Sequence, residues 1–314
     1  MKKILFISPR DPFSGRFSGD VIRAEKFLNF LKKKNLVTSI SPGDFNLTQR
    51  YGNLKIIKFK KENPIIKLFY ILISILKFKP LQLGYFYSGK MNNYIKENYK
   101  NFDIVFCQSV RAANYVIKYK NIKKILDMGD LYSNNYYQTY KSKGFFNLAR
   151  LIYFIESKLM KNYENLCFKR FDKIFLFSKK EISALKINKN KIKQINFGIE
   201  KIKNKFRFSK KNYKIIFIGN IKYLPNRIAC KSFIEKELPK IKKIHKNIEF
   251  HIIGEISRLD KFFWQKAKLI KIHGKVKKLD PLLSNVFCGL ANLNISSGIQ
   301  TKLLTYMSYG IPSI

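Results

Sequence analysis

Short apolar runs bounded by turn residues alternate along the chain with longer stretches whose apolar positions recur every three or four residues. That alternation predicts strands joined by crossover helices, hence an α/β protein with parallel sheets. In the first half, strands are expected at 4–8, 36–40, 54–59, 104–108, 124–127, 173–178 and 192–196. Over 21–34, Ile22, Phe27, Leu28 and Leu31 form one apolar stripe while Lys26, Lys32 and Lys33 face water, which predicts an amphipathic helix. A longer helix is expected over 147–169, where Leu151, Ile155, Leu159 and Leu166 stand at helical spacings. A charged, irregular stretch over 201–212 breaks the pattern, which restarts with the strand 213–218. Helices near 226–236 and 299–309 and strands at 248–253, 269–273 and 288–293 follow. The expected organisation is a first domain over 1–200, a linker over 201–212 and a second domain over 213–314. Gly310 closes a helix, Pro312 follows, and 311–314 reads as a strand just starting, so the second domain is expected to be incomplete.

Segment 64–78, PIIKLFYILISILKF, departs from the amphipathic pattern because it is apolar almost throughout. At about 15 residues it falls short of the roughly 20 that span a bilayer. Two readings remain: a helix packed on the protein, or one lying in a membrane interface with Lys67, Lys77 and Lys79 at the headgroups.

Composition adds charge to this picture. With 314 residues and 46% hydrophobic content the chain can bury two cores, while 63 Lys plus Arg against 20 Asp plus Glu give a formal +43. Such a surface attracts phosphorylated ligands and anionic headgroups. The chain is also rich in Ile, Asn, Phe and Tyr, residues with A- and T-rich codons, so coding bias accounts for part of the excess. No nucleic-acid motif accompanies the charge, and no nucleic-acid partner is expected. Cys107, Cys167, Cys230 and Cys288 form no C-x-x-C pair and sit in apolar stretches, which fits reduced, buried thiols and a cytoplasmic setting. The start, Met1-Lys2-Lys3 followed at once by a short strand, does not read as a signal peptide. The three histidines, His245, His251 and His273, lack companions at ligand spacing, so neither a metal nor a cofactor is expected.

Four segments can carry chemistry. In 296–310, SSGIQTKLLTYMSYG, hydroxyl residues and Gly298 precede a helix, which suits anion binding by backbone amides with Lys302 adding charge; an ordinary N-cap by Ser296 or Ser297 is the alternative. In 219–227, GNIKYLPNR, the loop follows the first strand of the second domain, where open parallel sheets bind ligands. There Lys222 and Arg227 can neutralise a diphosphate and Asn226 can cap the next helix, although a plain strand-to-helix turn fits as well. The loop is not G-x-G-x-x-G, which argues against a dinucleotide. In the first domain, SGRFSGDVIR (14–23) offers Gly15, Ser18, Gly19, Asp20 and Arg23 around a strand-to-helix loop, with Asp20 a candidate N-cap. KILDMGDLYS (124–133) puts Asp127 and Asp130 at a strand end, to orient a sugar hydroxyl or to cap the loop.

Taken in order, the opening strand and glycine loop, KPLQLGYFYS (79–88), FDIVFCQSVRAANY (102–115), KILDMGDLYS, IESKLMKNYE (155–164), INFGIE (195–200), GNIKYLPN and SGIQTKLLTYMSYGIPSI resemble a bacterial glycosyltransferase of family 4, of the kind that builds exopolysaccharide or lipid-linked surface sugars such as lipopolysaccharide. The resemblance implies a GT-B fold, two Rossmann-like domains facing a cleft, with a nucleotide-sugar donor held by the second and a glycan or lipid-linked acceptor by the first. It implies hexosyl transfer with retention of configuration and without a metal. On the donor side it places Gly219, Asn220, Lys222, Asn226, Ser297, Gly298, Gln300, Lys302 and Thr305, and on the acceptor side Gly15, Ser18, Gly19, Asp20, Arg23, Arg111 and Asp127; Asp130 is the candidate catalytic residue in place of a histidine that the first domain lacks. Thr305 stands where the family's K-x-x-E helix has its glutamate, and Gly129 stands beside an element where many relatives have histidine. The expected location is the cytoplasm, with the inner face of the plasma membrane the alternative that 64–78 keeps open. A non-catalytic remnant that binds only nucleotide or a partner is the competing reading.

Overall fold

Ile4, Leu5, Phe6 and Ile7 are all buried, so the first strand, β1 (Lys3–Ile7), is covered on both faces. That is the environment of a central strand in a parallel sheet. The computed structural model describes residues 1–15, 19–142, 148–196, 198, 213–276, 278–293 and 300–314. The chain divides into two compact units, the first over 1–16 and 20–197 and the second over 198–314 together with 17–19.

The remaining strands of unit 1 are β2 (Leu36–Gly43), β3 (Leu47–Tyr51), β4 (Leu54–Lys60), β5 (Ile104–Gln108), β6 (Lys123–Gly129), β7 (Lys173–Leu176) and β8 (Ile192–Gln194). Their spatial order is β3-β4-β2-β1-β5-β6-β7-β8, parallel except for β3. Helices α1 (Gly19–Leu31), α2 (Pro64–Leu76), α3 (Leu81–Tyr85), α4 (Gly89–Asn98), α5 (Val110–Ala113), α6 (Tyr132–Ser142), α7 (Leu148–Arg170) and α8 (Lys179–Ala184) lie between them. On one face Ile4 and Phe6 pack with Ala24 and Leu28 of α1; on the other Leu5 and Ile7 join Val105, Cys107, Val116 and Met160. The order reverses at β1, whose neighbours are β2 and β5. This places a crevice at the carboxyl ends of β1 and β5, the customary ligand position in such sheets.

Strand β3 was not expected. LTQRY has no apolar run, and it pairs with β4 as an exposed antiparallel edge through a turn at Gly52, whose φ is +57°.

Unit 2 has β9 (Lys214–Ile218), β10 (Glu249–Ile253), β11 (Ile270–Gly274) and β12 (Cys288–Gly289) in the order β11-β10-β9-β12, all parallel. Ser313 adds a parallel bridge to Gly289. The order reverses at β9, so the corresponding crevice lies at the ends of β9 and β12. The helices are α9 (Leu224–Ser232), α10 (Leu238–Ile244), α11 (Arg258–Trp264) and α12 (Thr301–Ser308). The single helix expected near 226–236 instead passes through a π turn at Phe233–Glu237 into α10. Pro239, which lacks an amide hydrogen, stands in the first turn of α10 and removes one helical bond there. The strand expected over 288–293 is limited to Cys288–Gly289, beyond which the Leu290 amide still donates to Ile216 O and the Ala291 amide to Ile314 O.

All four cysteines are buried and unpaired, two in each unit. Among the described residues no helix is long and apolar enough to cross a membrane.

Candidate functional site

In unit 2 the site is built on the docking of α12. Tyr306 is fully buried, and its hydroxyl accepts from the Ile218 amide at 3.0 Å and lies 3.2 Å from Leu290 O and 3.3 Å from Ile216 O. A Cβ on Gly289 would fall 2.5 Å from the Tyr306 ring, so glycine lets the helix sit directly on β12. One turn before Tyr306, and therefore on the same helix face, stands Lys302. The helix thus drives Lys302 in beside β9, where it is only 6% exposed.

Its ammonium donates to Asn226 Oδ1 at 2.9 Å and lies 3.7 Å from the centroid of the Phe217 ring. No carboxylate pairs with it among the described residues. Burial pushes its pKa down to about 8. An ammonium has three donors, and this one has a single neutral acceptor and an aromatic face. The arrangement leaves a buried positive charge beside β9 with no counter-ion among the described residues.

Asn226 is the organiser of the loop. It lies inside α9, not at its cap, and its Nδ2 donates to Asn220 O at 2.8 Å. Asn220 Oδ1 accepts from the Lys222 amide at 2.9 Å, which closes a tight turn after Gly219. Gly254, which the sequence reading passed over, has φ +140°, and a Cβ there would lie 1.9 Å from Gly219 O. Only glycine lets the loops after β9 and β10 approach so closely.

Other donor-side candidates are placed differently from expectation. Lys222 is exposed, its ammonium 3.7 Å from Glu255 Oε2 at the surface. Arg227 grips Asp260 through two nitrogens at 2.8–2.9 Å, so it braces α9 on α11 instead of standing free for a diphosphate. The Thr305 hydroxyl donates to Thr301 O at 3.1 Å within its own helix. Gln300 precedes α12 without capping it, and its buried Oε1 has no partner among the described residues. Ser297 and Gly298 lie outside the described residues.

In unit 1 the ends of β1, α1 and β5 are tied together. Ser8 Oγ lies 2.8 Å from Gln108 Oε1, Gln108 Nε2 donates to Asp20 O at 2.9 Å, and Arg10 pairs with Asp20 at 2.7 Å. Asp20 sits in the first turn of α1, not before it. Arg111 donates to Gln82 Oε1 at 2.6 Å and is stacked between Phe86 and Tyr132, 4.2 and 4.8 Å from their centroids. Gly15, at φ +62°, is exposed; Gly19 begins α1; Ser18 lies outside the described residues.

Arg23 and Asp127, expected to face an acceptor, are instead committed to each other. Arg23 Nε and Nη2 donate to the two Asp127 oxygens at 2.7 and 2.6 Å, and both side chains are buried. The guanidinium also stacks on Phe27 and Phe177.

Asp130 remains available. Its Oδ1 is buried with no hydrogen-bond partner among the described residues, and burial, with Glu181 as a secondary cause, pushes its carboxyl up to about 7. An acid raised in the folded state takes up a proton that the unfolded chain releases near pH 4, so stability falls as pH rises from about 4 to 7. Asp130→Asn is therefore expected to stabilise the fold at pH 8 by about 2 kcal/mol, seen as a higher melting point, and to change little at pH 4. Thermal unfolding at the two pH values checks this; an equal shift at both would show that burial of Asp130 is not the cause. Glu164, also pushed up to about 7 by burial, keeps a residual slope in the variant.

Two carboxylates of the IESKLMKNYE segment were missed as organisers. Glu156 accepts from the Leu81 and Gln82 amides at the start of α3, and Glu164 accepts from the amide and hydroxyl of Ser133 in α6. Their spacing of eight along one face of α7 was the available signal. In unit 2, His251 bridges Glu249 at 2.8 Å and His273 at 2.9 Å, but among the described residues no group of three His, Cys, Asp or Glu is placed to hold a metal ion.

Residues 212–314 match the family described as Glycosyl transferases group 1. No curated protein matches the sequence. Among solved structures, TarM is similar with a TM-score of 0.64 at 11% identity, over 100% of this chain and 84% of that one. Anabaena HepE in complex with UDP and glucose gives 0.62 at 8% identity, over 100% and 80%. The lipopolysaccharide outer core galactosyltransferase WaaB gives 0.53 at 15% identity, over 99% and 79%. At these identities the likeness is one of fold, and the fold is GT-B: two Rossmann-like domains.

Proposed function

We propose that the chain is a glycosyltransferase that moves a hexosyl group from a UDP-sugar to a glycan or lipid-linked acceptor in cell-surface glycan synthesis, as a retaining enzyme of family 4. The observation that carries this reading is Lys302, a buried ammonium with one neutral hydrogen-bond partner at the reversal point of the unit 2 sheet. The family match over the same unit and the UDP bound by HepE support the choice of ligand. As the bond from sugar to phosphate breaks, negative charge builds on the leaving diphosphate. Lys302, held in place by Asn226 and Phe217, stabilises that charge where no water competes. The resemblance assigns Gly219, Asn220 and Gln300 to the same donor, and backbone amides of Ser297 and Gly298 to its diphosphate. On the acceptor side, Asp130 is proposed to orient the attacking hydroxyl, and Gly15, Ser18, Gly19, Asp20 and Arg111 are the residues the resemblance assigns to the acceptor. Exopolysaccharide or lipopolysaccharide assembly at the cytoplasmic face of the membrane is the proposed setting.

One observation favours a second reading, nucleotide binding without transfer. The Thr305 hydroxyl is spent within its own helix at the position where the resemblance calls for a ribose-binding carboxylate. Thermal unfolding against UDP-, GDP-, ADP- and CMP-sugars, followed by analysis for released UDP, tests both. A selective rise in melting point with UDP-sugar and release of UDP on adding acceptor supports transfer; a rise with no release supports binding alone; no selective rise from folded protein rejects the donor site.

A further inference from the structure

Helix α2 is folded inside out. It is capped as an independent element should be, with Asn63 Oδ1 accepting from the Ile66 amide and Pro64 in the first turn. Its only hydrophilic side chains, Lys67, Tyr70 and Ser74, fall at spacings of three and four, on one stripe. A soluble helix would turn that stripe to water. Here it faces the protein.

Ser74 is the one buried residue of α2, and it packs beside Gly84 of α3, where a Cβ would come within 2.7 Å of the Ser74 hydroxyl. Tyr70 meets the Tyr87 ring edge-on at 4.7 Å, and the Lys67 ammonium lies over the Tyr85 ring at 5.2 Å. The opposite face carries Leu68 at 58% exposure, Phe69 at 59%, Leu72 at 50% and Leu76 at 79%, together with Ile65 and Ile75. Phe78, just past the helix end, is also exposed.

We infer that this face inserts into the headgroup region of an anionic lipid bilayer, with α2 lying in the membrane plane. Charge selects this occupant over a second copy of the chain. Two molecules at +43 repel, whereas an anionic surface attracts both. Lys60, Lys61 and Lys77 are exposed on either side of the helix, and the apolar face lacks any charge. The helix is about 20 Å long, too short to span but sufficient to lie flat. The inference stands on unit 1 alone, so its failure would leave the donor-site reading in unit 2 untouched, and the reverse also holds.

The test is partition of the full chain onto vesicles of phosphatidylcholine with and without 30% phosphatidylglycerol, at 0.15 M and 0.5 M salt. Leu68→Gln/Leu72→Gln changes only exposed positions, so its melting point should match the parent. The expected result is binding to the anionic vesicles that this double variant weakens at least tenfold at either salt concentration. A second chain, Phe69→Trp in a Trp264→Phe background, should show a blue-shifted emission quenched by brominated lipid. Equal binding by parent and double variant would mean that diffuse charge alone acts, and would overturn the inference. Two further results would also overturn it: no binding at all, or a lipid-free dimer that the double variant dissolves. Emission from the Phe69→Trp chain that brominated lipid leaves unquenched while the protein is vesicle-bound would do the same, by showing that the face stays out of the lipid.

Discussion

Lys302→Met is expected to stabilise the free chain and to weaken its hold on a UDP-sugar at the same time. The wild-type ammonium is pushed down to about 8 by burial, against an ordinary value of 10.5. A lysine depressed in the folded state costs stability at every pH below its folded pKa, and the cost is relieved as pH rises from about 8 to 10.5. Methionine of similar length fills the space against Phe217 without that cost, while Asn226 Oδ1 loses its donor, a loss of about 1 kcal/mol. The net gain should be on the order of 2 kcal/mol at pH 7, and the wild-type rise in melting point between pH 8 and 10.5 should flatten in the variant. Nucleotide-sugar affinity should fall about a hundredfold, the loss for one charged hydrogen bond to a phosphate. Calorimetric titration and melting curves on one preparation check both halves. A lysine held only for packing would give the reverse pattern: lower stability and unchanged affinity.

The second large effect lies in unit 1. Arg23→Met leaves Asp127 buried beside two aromatic rings without its guanidinium, and breaking such a pair from one side costs about 3–5 kcal/mol. In a unit of this size that is a fall of about 10 °C in the unit 1 transition. Burial already pushes Asp127 up, with Arg23 opposing, so the deficit in Arg23→Met should shrink as pH falls and Asp127 takes up a proton. Arg23→Met/Asp127→Leu removes both charges and should recover most of the loss, since an apolar pair of similar volume is often as stable as a buried ion pair. If the double variant melts as low as the single, the pair is not what holds α1 to β6.

How much of this was legible in the sequence depends on how local the cause was. β1, β5 and β9 announced themselves as apolar runs because both of their faces are buried; α7 was readable as a helix from its periodic leucines and isoleucines, but Leu151, Ile155 and Leu166 are exposed and its buried face carries Met160, Tyr163 and Cys167 instead. β3 did not, because an edge strand with exposed Thr48, Gln49 and Arg50 has no apolar signal to give. For α2 the helix was readable and its orientation was not, since the rule that apolar stripes face inward points the wrong way there. Lys302 and Asn226 were identified as single residues, but their bond joins positions 76 apart and depends on Tyr306 seating α12. Arg23 and Asp127, 104 apart, looked like two site residues for the same reason: no local pattern says that two opposite charges will find each other.

The interior placement of the four thiols has one more consequence. Burial pushes all four up, Cys288 to about 11, so in the folded chain almost no thiolate is present for an alkylating reagent to attack. Reagent is consumed only when the surrounding structure opens, and Cys107 and Cys167 report on one unit while Cys230 and Cys288 report on the other. The chain carries its own pair of clocks, one for each half, and they can be read by the mass that each alkylation adds.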